Sequence, residues 1–122
     1  MFEHEEMPWL GPGLAISRSL GDVNATRCGM TSTPDVARRA LTAADRFLLL
    51  GSDGIWEFLS PEQAVSIVQS VADGGGSAFD ACRLLVTKAA LLWRVNEGLY
   101  RDDITAAVVY LDSALQQLGG GP

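Results

Sequence analysis

Apolar positions along this chain follow two different periods. Phe47-Leu48-Leu49-Leu50 is an unbroken apolar run, and Arg46–Ser52 around it predicts a buried strand. The run stops abruptly at Ser52-Asp53-Gly54, which sets a carboxylate at the strand's end. The glycine beside it lets the backbone turn or come close to a ligand. Thr105–Leu111, rich in β-favouring residues, predicts a closing strand. Leu14–Leu20 reads as a short strand followed by a turn. Met30–Val36 reads as a strand interrupted by Pro34, which confines it to an edge or a bend.

Between the two stronger strands the period changes to that of a helix. Ser60-Pro61-Glu62-Gln63 supplies an N-cap, a proline at the first helical position and a glutamine able to close a capping box. Ala64, Val65, Ile67, Val68, Val71 and Ala72 then predict one apolar face, ended by Asp73-Gly74-Gly75-Gly76. Ser77 caps a second helix to about Val95. Its buried stripe is Ala78, Ala81, Cys82, Leu85, Ala89, Leu92 and Trp93. The chain returns through Asn96-Glu97-Gly98. Residues 1–12 form a polar leader, residues 13–112 one domain portion, and residues 113–122 a flexible tail. Strands, then two helices, then a strand do not alternate as a doubly wound sheet requires, so the fold class is α+β.

Composition narrows the function. The 122 residues carry a formal net charge of −6 and no run of lysine or arginine, which argues against nucleic-acid or anionic-membrane partners. No stretch reaches the roughly 18 apolar residues that span a bilayer. The start of the chain, with His4 between glutamates, lacks the basic and apolar regions of a signal peptide. Cys28 and Cys82 lie far apart without a metal-binding spacing and read as small buried apolar residues or free thiols, which fits an intracellular, cytoplasmic or nuclear setting. His4 is the single histidine and sits in the polar leader with no placed partner, which argues against a Ser-His-Asp or Cys-His hydrolase. Of Trp9, Trp56 and Trp93, the last two are expected in the core.

Ser-Asp-Gly is by itself an ordinary turn. It gains meaning from two other segments, Gly13-Leu14-Ala15-Ile16-Ser17-Arg18-Ser19-Leu20-Gly21-Asp22 upstream and Arg101-Asp102-Asp103-Ile104-Thr105-Ala106-Ala107-Val108-Val109 downstream. In this order and spacing the three resemble the C-terminal part of the metal-dependent protein phosphatases of the PP2C type, over about Gly11 to Leu111. The resemblance implies a β-sandwich of two mostly antiparallel sheets flanked by helices, with Ser60–Asp73 and Ser77–Val95 as one outer helix pair. It implies hydrolysis of phosphoserine and phosphothreonine in phosphoproteins by a metal-activated water, with Mg²⁺ or Mn²⁺ as cofactors. Hard divalent cations of this kind prefer oxygen ligands.

By that resemblance Asp53 and Asp102 are ligands of the same one of two metals. Asp103 stands where the family usually has asparagine, and it shares the metal or supporting role with Gly54. Arg18 and Asp22 are more simply read as pinning a tight turn than as binding phosphate or cation. Trp-rich recognition aside, Thr105 is structural. The family's upstream "DGHGG" and arginine-containing segments have no counterpart in these residues, so the resemblance covers about a C-terminal half. Three expectations follow. Metal should bind weakly, isolated activity should be negligible, and the uncovered sheet should promote self-association. A non-catalytic module that binds a phosphoprotein without turnover is the alternative.

Overall fold

The computed structural model describes residues 15–112; the predicted leader and tail, with His4, Trp9 and the Gly11–Leu14 lead-in, lie outside them. The chain divides into two units, Met1–Ala40 and Leu41–Pro122.

In the first unit the two predicted strands do not form. Arg18 and Thr31 make an isolated parallel bridge, with the Ser19 N–H donating to the Thr31 carbonyl at 3.1 Å. Pro34 has no N–H to extend such a ladder. Between the two segments Gly21 (φ 81°) and Asp22 (φ 50°) turn through the left-handed region. They lead into a four-residue helix, α1 (Val23–Thr26), whose N-cap is Asp22. A helix this short shows no apolar period, so the sequence gives no sign of it. Among the described residues of this unit, Ala25 and Met30 are the buried apolar ones.

The second unit follows the sequence closely. Strand β1 (Phe47–Gly51) leads into a short helix α2 (Asp53–Trp56). Helices α3 (Pro61–Asp73) and α4 (Ala78–Glu97) come next, then strand β2 (Ala106–Tyr110). β1 and β2 pair antiparallel, from Phe47 opposite Tyr110 to Gly51 opposite Ala106. Both predicted helix starts carry complete capping boxes: Ser60 with Gln63, and Ser77 with Asp80. α4 runs two residues past the expected end, to Glu97, and closes at Gly98 with φ 66°.

One face of the sheet packs on the helices. Phe47, Leu49, Ala106, Val108 and Tyr110 lie against a core of Ile55, Leu59, Ala64, Val68, Ala81, Leu85 and Ala89. Ile55, Val68 and Leu85 are fully buried, each worth about 1.5–3 kcal/mol of hydrophobic stabilisation. The Tyr110 hydroxyl donates to the Gly76 carbonyl at 3.0 Å, tying β2 to the turn between α3 and α4.

Three side-chain expectations need correction. Leu48 and Leu50 are 49% and 60% exposed, because a strand turns alternate residues to opposite faces and only one face is covered here. Val65 falls off the α3 apolar stripe and is exposed. Trp56 is 36% exposed: its ring lies on Gly51, where a Cβ would meet it at 3.0 Å, and its indole N–H donates to the Gly51 carbonyl at 2.7 Å. Among the described residues Trp93 is the buried tryptophan. Strands and helices thus occupy separate layers, an α+β arrangement. No helix among the described residues is long and apolar enough to cross a membrane.

Candidate metal centre

β1 ends at Gly51, and the chain passes through extended Ser52 into α2, so Asp53 stands at the first position of a helix. Ser52 does not cap that helix with its side chain. Its hydroxyl instead donates to the Asp103 carbonyl (3.2 Å) and accepts from the Thr105 N–H (3.1 Å). The Ser52 N–H donates to the Thr105 carbonyl at 3.0 Å, continuing the sheet ladder by one more bond. One serine therefore fastens the start of α2 to the segment entering β2.

Gly54 makes the same junction tight. It is buried, and a Cβ on it would collide with the Asp103 carbonyl oxygen and reach the Ile104 Cα at 3.1 Å. Its φ is not in the left-handed region, so glycine is needed here for close approach of the segment entering β2 rather than for a turn. The Gly54 carbonyl accepts from the Trp93 indole N–H at 2.8 Å, which fixes α2 to α4. Asp103 enters this construction through its main chain.

The two carboxylates lie on the two sides of that junction. Oδ1 of Asp53 accepts from the Gly54 N–H at 3.0 Å, and Oδ1 of Asp102 accepts from the Asp103 N–H at 2.7 Å. Each leaves Oδ2 without a hydrogen bond among the described residues. Asp53 and Asp103 are exposed and Asp102 is half-buried. A pocket of about 380 Å³ is lined by Val86, Arg101, Asp102, Asp103, Ile104 and Thr105, and Asp53 is not part of its wall.

Carboxylate oxygens are the donors a hard cation prefers, and Asp53 and Asp102 each keep one free. The site is short of ligands: among the described residues no group of three or more His, Cys, Asp or Glu is placed to hold a metal ion. Arg18 and Asp22 belong to the first unit and make structural contacts there. Arg18 pairs with Asp35 at 2.6 Å, and Asp22 accepts from the Ala25 N–H at 3.3 Å as a helix cap. Sequence reasoning missed Ser52 as the fastener, although Ser52 sits inside the segment it singled out.

The protein phosphatase 2C family model matches residues 7–92, a span that includes Asp53 and ends before Asp102. The chain is 42% identical over 104 residues to "Probable protein phosphatase 2C 33" of Arabidopsis thaliana, covering 84% of this chain and 20% of that protein. It is 38% identical over 104 residues to "Probable protein phosphatase 2C 48" of Oryza sativa subsp. japonica, covering 84% of this chain and 28% of the relative. The crystal structure of serine-threonine phosphatase 2C from Toxoplasma gondii superposes with a TM-score of 0.67 at 29% identity, over 77% of this chain and 28% of that one. The chain thus spans between a fifth and a third of the length of these proteins.

Proposed function

The chain belongs to the protein phosphatase 2C family, and from that premise we propose that it forms part of a metal-dependent serine/threonine phosphoprotein phosphatase, with Asp53 and Asp102 as ligands of one Mg²⁺ or Mn²⁺. The observation that carries this reading is the junction at Ser52 and Gly54, which holds the two aspartate-bearing segments side by side on the ends of β1 and β2. When bound, the cation would neutralise phosphoryl oxygens and activate the attacking water. The chain's own residues supply position. Asp53 and Asp102 present free carboxylate oxygens, while Ser52, Gly54 and Trp93 hold their backbones in place.

Ligand count makes the affinity low, since two carboxylates leave most of the coordination shell to water. Titration with Mn²⁺, followed by the loss of the free-ion electron paramagnetic resonance signal, should give weak binding that disappears in Asp53→Asn and in Asp102→Asn. Asp22→Asn should leave it unchanged. Tight binding of two Mn²⁺ per chain, or binding indifferent to both substitutions, would overturn the assignment.

A second reading rests on the absence of a three-ligand group among the described residues. It takes the chain as a module that engages a phosphoprotein without turnover. Hydrolysis of a phosphothreonine peptide in Mn²⁺ and in EDTA separates the two. Mn²⁺-dependent turnover lost in Asp53→Asn supports the enzyme, whereas the module requires folded protein to bind the same peptide without turning it over. Either way the partner is a phosphoprotein, and the half-covered sheet offers a surface for self-association.

A further inference from the structure

Arg94 lies in the last turn of α4, and Arg101 lies in the loop that follows and directly precedes Asp102. With Ala90, Gly98, Leu99 and Tyr100 they line a pocket of about 330 Å³. Neither guanidinium has an ion pair or side-chain hydrogen bond among the described residues. Arg101 also lines the adjoining pocket that Asp102 and Asp103 share. The cationic pocket and the candidate metal centre therefore meet at one residue.

We propose that this pocket is a subsite for an anionic side chain of a peptide substrate, next to the position of the phosphoresidue. The inference deepens the phosphatase reading and rests on it for that placement. Guanidinium groups take carboxylate and phosphoryl oxygens through paired N–H donors, which suits both an acidic residue and a second phosphoresidue. Leu99 and Tyr100, 99% and 66% exposed, give the neighbouring apolar surface a peptide side chain needs. The carbonyl end of α4 and Glu97 disfavour an anion at this place, and the two cations are what offset them. The subsite selects for acidic sequence near the scissile phosphate.

The test is fluorescence anisotropy of the whole chain in EDTA with three fluorescein-labelled short peptides. One carries paired glutamates, one paired phosphoserines and one paired glutamines. The glutamate and phosphoserine peptides should bind more tightly than the glutamine peptide, and the stronger of the two identifies the source of the anion. Arg94→Gln and Arg101→Gln should each weaken anionic binding about three- to fivefold, the range of exposed charge pairs. Lys88→Gln, a cation elsewhere on α4, should leave it unchanged. Equal binding of all three peptides, or none, overturns the proposal, as does an equal loss in Lys88→Gln. Binding in EDTA does not depend on the metal centre. Retention in Asp53→Asn would support the subsite even if the metal assignment failed.

Discussion

The Asp103 carbonyl oxygen occupies the space that a methyl group at Gly54 would need. Gly54→Ala should therefore displace the segment leading to β2, at a cost of about 1–3 kcal/mol. Ser52→Ala removes two exposed hydrogen bonds from the same junction and should cost less, about 1 kcal/mol. Urea unfolding of both variants checks the order. A glycine variant as stable as the parent would mean that the junction yields without strain. At this scale the sequence points to the right residues for partly different reasons. Asp53-Gly54 is visible as an interruption of an apolar run. The use of Gly54 depends on Asp103, and Ser52 bonds to a carbonyl 51 positions away, which no local pattern carries. Asp22 is legible as a turn residue, whereas its left-handed φ of 50° and its capping role emerge only with α1.

Among the elements, α3 and α4 were the most legible, because a cap is chemistry between residues three apart. Ser60→Ala should cost about 1 kcal/mol by removing the acceptor for the Gln63 N–H, a change seen as a lower denaturation midpoint. The Ser77 box adds a pH dependence. Hydrogen bonds from the Ser77 side chain and backbone hold the Asp80 carboxyl below its usual range. A lowered folded-state value stabilises fully above the unfolded carboxylate value, near 3.9, and the benefit fades as pH falls through the folded value. Helicity by circular dichroism should therefore drop more in acid for the parent than for Ser77→Ala, each relative to its own neutral-pH signal. Indistinguishable acid profiles would remove the box from the account. The first unit was less legible. Its segments are short and extended, with a single bridge between them, and α1 is too brief to carry a period.

For the whole molecule, the covered and uncovered faces of the sheet matter most. Leu48, Leu50 and Val109 make one exposed apolar surface across the register that pairs Leu48 with Val109. Such a surface favours association. Sedimentation velocity should show the parent chain associating as concentration rises and Leu50→Lys remaining closer to monomer. A parent that stays monomeric throughout would show that this face tolerates water. The unbroken Leu48-Leu49-Leu50 run predicted the strand but not its two unequal faces, because the covering layer is not encoded in the strand itself. Trp93 has a different consequence for the molecule as a whole. Its buried indole bonds the Gly54 carbonyl, and its ring centroid lies 5.9 Å from that of Tyr100. The chain thus contains a native optical reporter, coupled on one side to the backbone that carries Asp53 and on the other to the wall of the arginine pocket.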